Sequence, residues 1–81
     1  MKALIVFHPF MVDAITITIY DNDGSRKGDF IATMDSFYAE LDKLKNQFGI
    51  EKVTLKGNQM YLSKFQKDIS NTYNEIEVEI K

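Results

Sequence analysis

The stretch Ala3-Leu4-Ile5-Val6-Phe7 decides the fold of this chain. Its five apolar residues are consecutive, include β-branched and aromatic types, and do not alternate with polar ones. A run of this length is too short for a helix and is typical of a strand that is covered on both faces. We therefore predict that residues 3–7 form the central strand of a sheet and that later apolar segments pack beside it or on it.

Two strands are expected next in the chain. Pro9 marks the exit of the first strand, because proline has no N–H to donate to a sheet. Residues 14–20 then alternate, which predicts a half-buried strand antiparallel to the first, with its isoleucines on one face and Thr16, Thr18 and Tyr20 on the other. The Asp23-Gly24 pair is a hairpin signal within the turn-forming segment 21–28, and it predicts a short third strand at residues 29–32.

The remaining segments predict two helices and two strands. A helix at residues 34–48, capped by Thr33 or Asp35 and stopped by Gly49, has an apolar stripe at helical spacing: Met34, Phe37, Tyr38, Leu41, Leu44 and Phe48. Residues 50–56 alternate as a strand. After a turn at Gly57-Asn58, a second helix runs to about residue 73 with the stripe Leu62, Phe65, Ile69 and Tyr73. Residues 75–81 alternate with glutamates on one face, which is typical of an edge strand.

These elements predict a single α/β domain over residues 1–81, a two-layer sandwich with the element order β-β-β-α-β-α-β. Two hairpin-type connections followed by two right-handed crossovers predict a mixed five-stranded sheet in the order 3-2-1-4-5. Both crossovers run in the same direction, so both helices should lie on one face of the sheet. The other face should be open.

Composition narrows the functional classes. The 81 residues include 10 basic and 12 acidic ones, a net charge of -2, and no cysteine. The basic residues are scattered, which argues against a dedicated nucleic-acid binder. Because the chain has no cysteine, it has no thiol chemistry. No segment reaches the roughly 20 apolar residues of a membrane span, so we expect a cytoplasmic protein with no membrane partner. One arginine against nine lysines is typical of AT-rich genomes, including those of low-GC bacteria and their phages.

The polar residues form no recognisable catalytic or metal-binding set. Asp21, Asp23 and Gly24 resemble the middle of an EF-hand loop, but aligning the glycine puts Ile19 and Phe30 at ligand positions, so we expect a hairpin turn. His8, the single histidine, is expected at the surface or at a strand end. We predict no enzyme activity, no cofactor and no metal.

The order of elements resembles a minimal ribonuclease H-like core. In nucleases of that group, acids on the first strand, near the first helix and near the fourth strand hold two divalent metals. The first strand here has no acid, and the resemblance leaves only Asp13, Asp21, Asp35 and Glu40 as ligands. It implies, as an alternative function, a reduced domain that processes or binds nucleic acid.

The surplus of apolar residues predicts protein association. If both helices cover one face, the open face receives either Ala3, Ile5 and Phe7 or Leu4 and Val6, rimmed by threonines and charges. The 9–12 segment adjoins it, and its large side chains either take part in binding or fold back over this face. We predict a small interaction module, of the kind found among phage or mobile-element accessory proteins, that binds another protein or itself as a homodimer. The predicted contact residues are Leu4, Val6, Phe10, Met11 and Val12.

Overall fold

The computed structural model describes residues 1–8, 14–57 and 59–81. In chain order the elements are β1 (Lys2–Phe7), β2 (Ile15–Tyr20), β3 (Arg26–Ala32), α1 (Phe37–Phe48), β4 (Lys52–Gly57), α2 (Gln59–Thr72) and β5 (Glu77–Ile80). The strands form one mixed sheet in the order β3-β2-β1-β4-β5. β2 is antiparallel to β1 and β3, whereas β4 is parallel to β1 and β5 is parallel to β4. The predicted element order and strand order are confirmed.

Both helices pack on one face of the sheet, as predicted. The strands send alternate side chains into this layer, and α1 and α2 supply the apolar stripes that cover them. Phe7 is the meeting point, because its ring lies 5.9 Å from that of Phe37 and 4.9 Å from that of Phe65, measured between centroids. The fully buried side chains include Ile5, Ile15, Ile17, Ile19, Phe37, Leu41, Leu44, Val53, Leu55, Leu62 and Ile69.

Within the described residues, the helices cover the central strand on one face only. Ala3, Ile5 and Phe7 are buried in the helix-facing core, while Leu4 and Val6 are half-buried on the other side. The prediction that β1 lies in the middle of the sheet is confirmed, but the prediction of cover on both faces is wrong for the part of the chain that the structure describes. A continuous apolar run marks a central position without requiring a second layer.

Two elements begin three residues away from their predicted starts. β3 begins at Arg26, three residues early, because the hairpin closes within residues 21–25 and its register shifts by a bulge at Ile19/Tyr20. α1 begins at Phe37, three residues late. The preceding turn is held by reciprocal bonds, in which the Thr33 N–H donates to Ser36 Oγ at 2.9 Å and the Ser36 N–H donates to Thr33 Oγ1 at 3.1 Å.

β5 is short, and its first predicted acid lies outside it. The strand spans four residues, and Glu75 precedes it and accepts a 2.8 Å ion pair from Lys45 Nζ on α1. The prediction that Glu75 shares an exposed face with Glu77 and Glu79 is therefore wrong. At the end of α1 the predicted stop is confirmed, since Gly49 has φ 68° and its N–H donates to the Lys45 carbonyl at 2.8 Å.

Gly57 allows β1 and β4 to stay paired at their ends. It has φ +119° and lies opposite Phe7 in the parallel register. A Cβ atom added there would collide with the Phe7 carbonyl oxygen, so glycine is required by both conformation and space. Asn58, predicted as the cap of α2, lies outside the described residues.

Candidate functional site on the open face of the sheet

The sheet face opposite the helices, called the open face below, presents three rows of side chains across the strands. The strand registers define these rows, because residues paired across neighbouring strands share a face. The first row is Ile31, Thr16, Val6 and Lys56; the second is Asp29, Thr18, Leu4, Thr54 and Glu79; the third is Tyr20, Lys2, Lys52 and Glu77. Lys81 continues the alternation of β5 beside the first row, and its N–H donates to the Leu55 carbonyl at 2.9 Å.

Three apolar side chains form a strip on this face, called the apolar strip below. Leu4 and Val6 are half-buried on β1, and Ile31 on β3 is 77% exposed. Thr16 separates Ile31 from Val6 in the first row. The sequence left open which side chains of β1 face away from the helices. The structure places the predicted contact residues Leu4 and Val6 there, on the open face. Ile31 was not among the predicted contact residues. The predicted third strand had only four residues and an uncertain start, so the sequence did not show which of its side chains face the core.

Threonine hydroxyls hold two carboxylates near the edges of the sheet. Thr18 Oγ1 donates to Asp29 Oδ1 at 2.8 Å, and Thr54 Oγ1 donates to Glu79 Oε1 at 3.0 Å. Glu79 also pairs with Lys52 Nζ at 3.7 Å. A carboxylate that accepts such a hydrogen bond is fixed in position, and part of its hydrogen-bonding capacity is already used within the chain. Acids on β3 and β5 therefore flank the open face as fixed, already bonded groups.

A groove of about 490 Å³ on the open face is lined by three lysines and is called the lysine groove below. The lysines are Lys2, Lys56 and Lys81, and the groove also reaches Leu4, Thr54 and Tyr20. Within residues 1–8, 14–57 and 59–81, no ion pair involves any of the three lysines. Three lysines and a leucine thus line one groove.

The β2–β3 turn forms one wall of the lysine groove, and its carboxylates are engaged within the turn. Asp21 lies 3.6 Å from Lys27 Nζ, and Asp23 accepts the Ser25 N–H at 2.9 Å. That backbone hydrogen bond lowers the pKa of the Asp23 carboxyl below its ordinary value. Gly24, at φ 92°, donates its N–H to the Asp21 carbonyl at 3.0 Å. The predicted hairpin turn is confirmed.

The acids that the ribonuclease H-like resemblance selects are not brought together. Asp21 follows β2 at the end of the sheet where β1 begins, whereas Asp35 and Glu40 follow β3 at the end where β1 finishes. Among the described residues, no group of three metal-ligating side chains lies close enough to hold an ion. Asp13 lies outside those residues, as do Phe10, Met11 and Val12 of the predicted contact set.

His8 lies at the end of β1, half-buried, where a strand-end histidine was expected. Its Nε2 atom is 2.7 Å from Thr16 Oγ1, so it joins the hydroxyl-bearing side chains of the open face. The two residues make one hydrogen bond across the β1–β2 pair. This contact fixes the orientation of the ring where β1 leaves the sheet.

The outer side of the helical layer has a second polar cluster that sequence reasoning missed. Tyr38 OH donates to Asp68 Oδ2 at 3.1 Å, and Tyr73 OH donates to Asp42 Oδ1 at 3.2 Å, so each bond joins the α1 region to the α2 region. Burial, followed by the adjacent carboxylate, raises the pKa of both phenols. Lys45 Nζ lies 5.5 Å from the centroid of the Tyr73 ring. Tyr38, predicted as a core residue, is instead 36% exposed at this rim.

Comparisons with known proteins give no relative from which a role could be transferred. No protein-family model matches the chain, and no curated protein or solved structure matches it. The likeness to the ribonuclease H-like group thus stays a prediction. Neither α1 nor α2 in the described part is long and apolar enough to cross a membrane. Fold and site together define a small two-layer α/β domain whose sheet has one helix-covered face and one open face.

Proposed function

We propose that this protein acts by binding another protein through the open face of its sheet, in a binding role and not a catalytic one. The observation that carries the proposal is the apolar strip of Leu4, Val6 and Ile31, which lies opposite the helices and is bordered by threonines and charged groups. Apolar side chains grouped on one face within a polar rim are typical of protein interaction surfaces. An isoleucine that is 77% exposed contributes apolar area that only a partner would bury.

The charge arrangement favours a different protein over a second copy of this chain. A two-fold axis parallel to the strands and centred on Leu4 would place Lys2 against Lys2 of the other copy. A two-fold axis across the strands would place Lys56 against Lys52. Like charges in direct opposition weaken an interface, so the first arrangement is not self-complementary. The second also places Glu77 against Lys81, which offsets part of the repulsion between Lys56 and Lys52.

The size of the open face limits the area that a partner can bury there. Five strands about 4.8 Å apart, with about six residues rising 3.3 Å each, give an area of about 24 by 20 Å, roughly 480 Å². A stable interface buries about 800 Å² on each partner. Since the outline of the open face is small, a partner that also contacts the sheet edge or the 9–12 segment would bury more area than one that contacts the open face alone.

The test compares matched versions of the protein as affinity baits in extracts of its source cells. The double variant Val6→Thr/Ile31→Thr removes exposed apolar groups while keeping β-branched side chains that suit strands. Met60→Ala, on α2 and 81% exposed, is the control for loss of an exposed apolar group elsewhere. We expect a protein captured by the wild type and by Met60→Ala to be lost or strongly reduced with the double variant.

Two results would contradict the proposal. One is equal capture of every binding protein by all three baits, with their folds verified by circular dichroism. The other is a stable dimer of the wild type, detected by size-exclusion chromatography with light scattering at two well-separated concentrations and dissociated by the double variant. The second result would assign the open face to self-association.

A further inference from the structure

We infer that the lysine groove receives an extended acidic segment of the partner, with two carboxylates placed on either side of one apolar side chain. The inference rests on the proposed function, because it names the chemistry of the partner at the same face. Its basis is the charge of the groove and the spacing of the rows that line it.

The charge of the groove favours a negatively charged occupant. Lys2, Lys56 and Lys81 line it and have no ion-pair partner among the described residues. The wall carboxylates are engaged, Asp21 with Lys27 at 3.6 Å and Asp23 with the Ser25 N–H at 2.9 Å. An entering carboxylate would therefore meet lysines that form no ion pair within the described residues.

The row spacing gives the pattern of the occupant. Lys2 and Val6 are four residues apart on β1, with Leu4 between them, and Lys56 is paired with Val6 on β4. The lysine rows are therefore separated by about 13 Å, with Leu4 about 6.6 Å from each. An extended peptide lying along β1 places side chains i, i+2 and i+4 toward the sheet at the same intervals. Acids at i and i+4 and an apolar residue at i+2 would meet Lys56, Leu4 and Lys2.

The same surface is less suited to a nucleic-acid strand. A single strand carries one negative charge per nucleotide along its whole length. Here the lysine groove is flanked by acids on both sides, Asp21 and Asp23 in the turn and Glu77 and Glu79 on β5. A few carboxylates at fixed spacing fit between these acids, whereas a continuous polyanion would meet them. The net charge of -2 adds a general repulsion.

The experiment is an NMR titration of the ¹⁵N-labelled full chain with short synthetic peptides. The test peptide contains Glu-Ser-Leu-Ser-Glu, and the controls are Gln-Ser-Leu-Ser-Gln and the reordered Ser-Glu-Leu-Glu-Ser. We expect the test peptide to shift the amide signals of Leu4, Tyr20 and Thr54 and to bind more tightly than either control. Raising the salt concentration should weaken this binding, because exposed charge pairs are screened.

Lysine variants test the charge contribution separately. Lys2→Gln and Lys56→Gln should each reduce affinity for the test peptide by about two- to fivefold, the range expected for one partly exposed ion pair. Lys64→Gln removes the same charge from the exposed side of α2 and should leave the affinity unchanged.

Each of the following outcomes would overturn the inference. Equal binding of the glutamine peptide would remove the charge argument, and equal binding of the reordered peptide would remove the spacing argument. A single-stranded oligonucleotide that binds the same residues more tightly than the test peptide would assign the groove to nucleic acid. If no peptide binds while capture of a protein still depends on Val6 and Ile31, the acidic-segment inference fails and the proposed function stands.

Discussion

Replacing Gly57 by alanine should destabilise this protein more than the same replacement at either of its other two glycines with positive φ. Gly24, Gly49 and Gly57 have φ values of 92°, 68° and 119°. At Gly24 and Gly49 an added Cβ meets nothing within 4 Å, so only backbone strain opposes it. At Gly57 the added Cβ also collides with the Phe7 carbonyl oxygen, which forces the ends of β1 and β4 apart.

The expected magnitudes follow from these two contributions. A side chain held in the left-handed region costs about 1–2 kcal/mol, which we expect for Gly49→Ala and Gly24→Ala. The φ of Gly57 lies further from that region, where strain alone costs on the order of 1–3 kcal/mol, and the collision adds to it. We expect a total of about 3 kcal/mol or more for Gly57→Ala. A domain of this length has a free energy of unfolding of about 4–12 kcal/mol, so this variant should be markedly less stable.

Urea unfolding monitored by circular dichroism would measure the three variants together. With a slope of about 1 kcal/mol per molar urea, the midpoint should fall by about 1–2 M for Gly49→Ala and by about 3 M for Gly57→Ala. Gly49→Asn should recover much of the loss, since asparagine tolerates the left-handed region, while Gly57→Asn should not. Equal midpoints for Gly57→Ala and Gly49→Ala would refute the close approach of β1 and β4 at this position.

Three further predictions concern the core, the open face and the helix rim. Phe37→Ala should lower the free energy of unfolding, measured in urea, by about 3–5 kcal/mol, because the side chain is fully buried against Phe7 and Phe65. A loss under about 2 kcal/mol would mean that the site collapses around the cavity. Thr18→Val should keep a native circular dichroism spectrum but lower the urea midpoint, because the Asp29 carboxylate loses the hydroxyl that donates to it at 2.8 Å. An unchanged midpoint would show that this hydrogen bond contributes nothing to stability. Since burial raises the pKa of the Tyr38 phenol in the folded state, its contribution to stability is complete below pH 10 and decreases as the pH rises above 10. The thermal midpoint of Tyr38→Phe should therefore fall less than that of the wild type between pH 9 and 11, and parallel curves would contradict the assignment.

Much of the fold was predictable because apolar periodicity and chain connectivity agree. The run Ala3 to Phe7, the alternation of β2 and the helical stripes each indicate one type of element, and right-handed crossovers then leave a single strand order. The boundaries were less predictable. Arg26 and Lys27 have turn-like neighbours but belong to β3, since the Asp21–Ser25 hairpin closes earlier than its composition suggests. Composition alone does not show where a hairpin closes.

The candidate site was predictable only in part. Leu4 and Val6 could be assigned to an association surface because a two-layer fold leaves one side of the central strand open. The lysine groove could not be predicted, since Lys2, Lys56 and Lys81 are far apart in sequence and meet only through the parallel pairing of β1 with β4 and of β4 with β5. The Tyr38–Asp68 and Tyr73–Asp42 bonds likewise depend on how α1 and α2 pack, which periodicity does not specify.

The pairing of β1 has a consequence for the order of events during synthesis. One edge of this strand pairs with β2, which emerges from the ribosome soon afterwards, whereas the other edge pairs with β4, fifty residues downstream, as in Lys2 with Lys52. A nascent meander of β1, β2 and β3 would therefore expose the unpaired edge of its most apolar strand until residue 57 has emerged from the ribosome. Loop closure over that distance is slow compared with hairpin formation, and an open apolar edge is prone to pair with other chains in the interval. The parallel half of the sheet thus determines when folding can be completed and how long the chain is most prone to aggregation.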